Sequence, residues 1–158
     1  MRKILISSVL GMVLLAVSGL TAYAGEDERM QPVTDPVVIK ECGACHMVYQ
    51  PGFLPAASWT KIMADLKNHF GENAVLDPAI AKPIEAYLTA NAARNSRRMR
   101  AASGNEPPLR ISETAWFKRK HNKRGRSSPE NLKRHNAKTI AQCKACHRDA
   151  DKGYYEDD

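Results

Sequence analysis

Two copies of one short pattern use every cysteine in this 158-residue chain. The first is Cys42-Gly43-Ala44-Cys45-His46 and the second is Cys143-Lys144-Ala145-Cys146-His147. Each reads C-x-x-C-H, the attachment signature of a c-type haem. The spacing has a chemical reason. Cysteines three positions apart lie on one face of a helical turn, so each thiol can add to one of the two vinyl groups of a single porphyrin. The histidine beside the second cysteine then places an imidazole under the iron. Two other chemistries compete. Two C-x-x-C pairs can make an all-cysteine zinc centre, but that use leaves both trailing histidines without a role. A thioredoxin-like dithiol wants a βαβ context, which this chain lacks.

A haem iron takes a fifth ligand and often a sixth. His46 and His147 supply the fifth, and three other histidines remain: His69, His121 and His135. For the first haem, Met47 adjoins His46 and cannot easily reach the opposite face, and Met63 lies in an apolar stripe that reads as core. His69 follows His46 by enough chain to pass around a porphyrin, and imidazole suits iron. For the second haem, the tail beyond His147 holds no His or Met, so the ligand must come from upstream. His121 and His135 compete. Ligation by His135 needs an extended chain up to Cys143, where a helix is expected. His121 leaves a longer loop and follows Trp116 and Phe117, which can pack on the ring; it is the favoured ligand.

The elements that must position these residues are mostly helical. Val37, Val38 and Ile39 open a short helix leading into Cys42. Pro51, Gly52 and Pro55 mark a loop that can wrap a haem edge with Phe53 and Leu54 against the ring. Trp59, Ile62, Met63, Leu66 and Phe70 recur at helical spacing, with Ser58 as N-cap and Gly71 as stop, which puts His69 on the last turn. Asp77-Pro78 starts another helix that buries Ile80, Ile84, Tyr87 and Leu88 and ends near Ala93. Pro83 is expected to kink it or to force a new start at Lys82. Residues 94–110, with Arg97, Arg98, Gly104 and Pro107-Pro108, read as a linker. A basic run from Lys118 to Arg126 follows, and 131–142 are expected to be helical up to Cys143. Strand signals are weak. The expected fold is mainly α: a small, loop-rich, two-domain c-type cytochrome with one covalent haem per domain, divided as 25–93, linker 94–110, and 111–158.

The N-terminus reads as an export signal cleaved after Ala24. Arg2 and Lys3 are a charged lead, Ile4 to Leu20 an apolar run, and Ala22-Tyr23-Ala24 an A-x-A site. A periplasmic location follows, and nucleic acid is excluded as a partner. Charge is uneven. Residues 25–90 carry five basic and nine acidic side chains, whereas 91–158 carry seventeen basic and eight acidic. With few aromatics the core is thin, so the apo-protein is expected to be largely unfolded without its two haems.

Longer stretches carry a resemblance. Glu41 through His46, Leu54-Pro55-Ala56, and Trp59 through His69-Phe70-Gly71-Glu72-Asn73 are three. Leu109-Arg110-Ile111-Ser112-Glu113-Thr114 with Trp116-Phe117 and His121 is the next, followed by the final haem motif. Together they resemble the exported dihaem cytochromes c that partner the sphaeroides haem protein. The resemblance implies two bis-histidine haems, His46 with His69 and His147 with His121. It also implies electron transfer from a b-type membrane cytochrome to a small exported haem protein. Bis-histidine iron is closed to substrate, and imidazole in place of a thioether gives a low potential. A low-potential carrier, not an enzyme, is the expectation. The competing class is a dihaem peroxidase-like enzyme with one openable haem, at His135 or a displaceable His121.

Overall fold

The computed structural model describes residues 29–94, 99–101 and 104–156. The expected export signal lies outside them, as do Arg97, Arg98 and part of the 94–110 segment. Five α-helices are present among the described residues: α1 Pro36–Cys42, α2 Ala56–Ala64, α3 Pro78–Ala90, α4 Ala115–His121 and α5 Pro129–Arg134. Short 3-10 turns fill much of the rest, and among the described residues β structure is confined to isolated bridges. The mainly helical fold read from the sequence is the one observed. No described helix is long and apolar enough to cross a membrane.

Capping fixes where several helices begin. Asp35 accepts from the Val37 and Val38 amides ahead of α1, and Asp77 accepts from Ala79 ahead of α3, each satisfying otherwise orphan donors. Thr114 does more. Its hydroxyl accepts from Phe117 N at 3.1 Å, donates to the Ile111 carbonyl at 2.8 Å, and is fully buried. It thereby fixes the start of the helix that ends in His121.

Two apolar clusters hold the elements together. Val38, Leu54, Trp59, Ile84 and Leu88 join α1, α2 and α3, with Cys42 packed against them. Phe53, Met99, Trp116 and Phe117 form the second, with Met30, Ala93, Ile140 and Tyr155 around it. Ile111 touches both. The second cluster therefore draws on chain from either side of 94–110. Backbone pairing adds to this: Met30 N donates to Gly153 O at 2.8 Å. Gly153 has φ +85, and a Cβ there would meet the Met30 carbonyl oxygen at 2.0 Å, so the tail closes on the N-terminal segment only with glycine at this position.

Three expectations about elements need correction. Ser58 is not a cap: α2 begins at Ala56 with Pro55 before it, and Ser58 is buried inside the helix. The stripe does not continue as one helix to Gly71 either. At Asp65 the backbone turns to φ −134, ψ 50, and a 3-10 turn over Leu66–Asn68 follows. The Asp65 amide bonds the Ile62 carbonyl at 3.3 Å and the Asn68 amide bonds the Asp65 carbonyl at 3.1 Å, three-residue steps that replace the α ladder, while the Asp65 side chain accepts from Asn68 Nδ2 at 2.7 Å. Phe70, placed on the buried stripe, is 42% exposed and sits at φ 55.

In α3, Pro83 is accommodated without a break. The bond it cannot make is to the carbonyl of Ala79, which lies in the exposed first turn where water is at hand. The helix expected over 131–142 is short instead. Ser128 caps it, and it stops at Arg134 because Asn136 adopts φ 53. Asn136 N then bonds Lys133 O and Ala137 N bonds Leu132 O. Those are the two bonds of a Schellman stop, with asparagine where glycine is commoner.

Candidate haem centres

The second motif forms a single turn. A 3-10 helix spans Cys143–Ala145, and the amides of Cys146 and His147 both bond the Cys143 carbonyl, at 3.1 and 2.8 Å. This is the geometry that puts both thiols on one side with the imidazole following. In the first motif Cys42 ends α1, Gly43 caps it, and the chain turns through Cys45 to His46. None of the four cysteines is paired in a disulfide.

The histidines come together in two pairs. The rings of His46 and His69 have centroids 6.2 Å apart and are nearly parallel, at 18°. Those of His121 and His147 are 6.1 Å apart and nearly perpendicular, at 84°. An imidazole nitrogen lies about 2 Å from a transition metal and about 1.1 Å from its own ring centre, so two imidazoles on opposite faces of one ion have centroids about 6.2 Å apart. Both pairs have that separation. No group of three or more His, Cys, Asp or Glu side chains among the described residues could hold a bare metal ion. Two protein donors per site suit an iron whose other four positions come from a porphyrin, and they do not make the all-cysteine zinc centre weighed above.

Hydrogen bonds also set the tautomers. His46 Nδ1 faces the Met47 carbonyl at 2.7 Å, His121 Nδ1 the Phe117 carbonyl at 3.1 Å, and His147 Nδ1 the Glu156 carbonyl at 3.2 Å. A carbonyl only accepts, so in each ring Nδ1 carries the proton and Nε2 keeps the lone pair for a metal. Burial holds the His69 imidazole below its ordinary value, with His46 and Arg110 adding in the same direction, a shift that favours the neutral form with a lone pair to donate.

The surroundings differ between the two centres. The His46–His69 pair lies beside Tyr49, whose ring is 4.9 Å from His46, and beside Phe70, 4.9 Å from His69. Arg110 lays its guanidinium over Phe70 at 4.2 Å. The His121–His147 pair lines a cavity of about 290 Å³ walled by Phe53, Ile111, Trp116, Phe117, Ile140 and Tyr155, with Cys143 and Cys146 on its lining. Phe117 stacks on His121 at 3.8 Å and 7°.

Phe53, expected against the first ring, is thus a wall of the second site, and Leu54 belongs to the α1–α3 core. His135 is exposed at the end of α5 and lines the same cavity as His121. Residue type and spacing did not point to Gln50 and Tyr155. Gln50 is fully buried and accepts from the Tyr155 hydroxyl at 2.5 Å. Its only possible signal was an amide beside a loop.

Comparison with known proteins agrees with this geometry. The chain is 48% identical to the diheme cytochrome c from Rhodobacter sphaeroides, with a TM-score of 0.68, covering 78% of this chain and 98% of that one. A second Rhodobacter sphaeroides structure, of purified DHC, matches at 49% identity and TM-score 0.64 with the same coverage. The diheme cytochrome from Shewanella baltica matches at 36% identity and TM-score 0.62, covering 77% and 86%. No match was found among curated proteins. The dihaem cytochrome c family model matches residues 38–155, a span that holds both motifs and both histidine pairs. The chain belongs to the dihaem cytochrome c family, whose members transfer electrons, and holds two covalently bound haem c groups.

Proposed function

We propose that the protein is a low-potential electron carrier with two closed, bis-histidine haems. In this reading Cys42 and Cys45 hold the first haem and His46 and His69 ligate its iron; Cys143 and Cys146 hold the second, ligated by His147 and His121. The observation that carries it is the matched separation of the two histidine pairs, 6.2 and 6.1 Å. Each haem supplies a one-electron iron couple. The chain's own residues do the rest. Paired imidazoles leave no open position for a substrate, which argues against a peroxidase-like enzyme. The Nδ1 hydrogen bonds raise the donor strength of the imidazoles, and the absence of a thioether ligand keeps both potentials low. Phe53, Trp116, Phe117 and Tyr155 offer a haem at the second site an aromatic wall. Carbon monoxide added to the reduced protein should therefore leave the spectra of both haems unchanged. Binding at either one in the unmodified protein would favour the peroxidase-like reading instead.

In this reading the protein is periplasmic, its export signal removed after Ala24. It receives electrons from a b-type membrane cytochrome and passes them to a small exported haem protein. The C-terminal half is basic, and α4 with the turn after it exposes Lys118, Arg119 and Lys123 around the residue that would ligate the second iron. A partner drawn there by opposite charge would meet the second haem. Exposed charges are screened over about 8 Å at physiological ionic strength, so the rate with that partner should fall steeply with added salt. Reversing Lys118, Arg119 and Lys123 to glutamate should slow that partner in stopped-flow mixing and leave the other nearly unchanged. A rate indifferent to both treatments would mean that the basic face only balances haem propionates.

A further inference from the structure

Gln50 stands out among the buried polar groups. It is fully buried, lies four residues beyond His46, and spends its side chain on residues about a hundred positions away. Nε2 donates to the Ala150 carbonyl at 2.8 Å and reaches the Asp151 carbonyl at 3.4 Å, and Oε1 accepts from the Tyr155 hydroxyl at 2.5 Å. A buried amide satisfied in this way is costly to remove, because its partners are then left unpaired. The Tyr155 ring packs edge-on to Phe53 at 5.0 Å and lies 5.6 Å from the His147 ring. The next residue, Glu156, presents the carbonyl that accepts from His147 Nδ1 at 3.2 Å.

We propose that Gln50, a residue of the first haem segment, is a positioning residue for the second haem. It fixes Tyr155, and through it the Glu156 carbonyl that orients the His147 imidazole and sets its donor strength. The physical basis is the control of metal ligands by the groups that hydrogen-bond to them. An imidazole that donates through Nδ1 is a stronger electron donor at Nε2, and its ring is held in one orientation. A stronger donor favours ferric over ferrous iron and so lowers the potential. The first segment would then tune the second centre from a residue that touches neither iron. Glu156 stands outside any helix or strand, where backbone is held only by what ties it down. The Gln50–Tyr155 bond is such a tie.

The proposal rests on His147 being the axial ligand of the second haem. That reading is tested separately, by the low-spin signature of the unmodified protein. Two variants of the holoprotein test the proposal itself. Tyr155→Phe removes only the hydroxyl and keeps the ring against Phe53 and His147. Gln50→Met removes both polar functions at similar volume. The readouts are the two resolved midpoint potentials and the electron paramagnetic resonance g values of each low-spin haem. In both variants the second haem's potential should rise and its g values should shift, while those of the first haem stay as in the unmodified protein. If Gln50→Met does not accumulate as a folded protein, Tyr155→Phe decides alone. Unchanged potential and g values at the second haem would reduce Gln50 to a packing role. An equal shift at both haems would show general loosening instead, and would also overturn the proposal.

Discussion

His69→Ala opens the first haem: the reduced protein binds carbon monoxide at that centre, and a high-spin fraction develops there. The second haem stays low-spin and closed. The expectation follows from the geometry. The ring opposite His46 is that of His69, and alanine leaves a gap about the size of an imidazole on that face. Its neighbours are Phe70, whose ring offers no donor, and Arg110, whose cation repels iron. His121→Ala should do the same to the second haem, in a cavity already walled by Phe53, Trp116 and Phe117. His135→Ala should be spectrally silent: His135 lines the same cavity, but the ring paired with His147 is that of His121. Carbon monoxide difference spectra on the three variants separate the cases. An opened haem in the His135 variant and a closed one in the His121 variant would reverse the assignment.

Replacing Cys42 and Cys45 together with alanine should leave one haem after denaturation and should melt much of the N-terminal half as well. Cys42 packs against the Val38–Leu54–Trp59–Ile84–Leu88 cluster, so a haem anchored there would extend that core. A metal centre that completes a small fold contributes free energy of the order of 10 kcal/mol, as large as the whole stability of a typical domain. Haem content by pyridine haemochrome and helix content by circular dichroism should fall together. Substituting all four cysteines should give a chain with little fixed structure. A cysteine-free chain that kept its helices would show that the apolar clusters suffice without the cofactors.

What was legible beforehand was the chemistry that depends on residue type at short range. The C-x-x-C-H spacing is a local fact, and scarcity of histidines narrowed the sixth ligands to three. His121 was then preferred to His135 partly on a helix up to Cys143 that in fact stops at Arg134, while the rings of His69 and His121 lie 6.2 and 6.1 Å from those of His46 and His147. The Asp77 cap and the buried face of α3 are local too. What misled was backbone punctuation without glycine or proline. Asp65 ends α2 by leaving helical backbone angles, and Asn136 ends α5 in a left-handed conformation. Neither interrupts a hydrophobic period. The contacts of Gln50, Phe53 and Tyr155 were out of reach for another reason: each depends on chain far away in sequence, and nothing in residue type announces the partner.

Phe53 has a consequence for how such proteins can diversify. It belongs to the first segment yet forms a wall of the cavity that His121 and His147 line. The C-terminal segment made by itself would lack that wall, along with the Gln50 amide and the hydroxyl of Tyr49, which donates to the Ala141 carbonyl. The two haem segments are therefore not interchangeable cassettes. A chimaera that takes its C-terminal half from a relative inherits a cavity shaped for that relative's own loop. To work, it must carry across the Tyr49–Leu54 stretch together with the half it was built to fit.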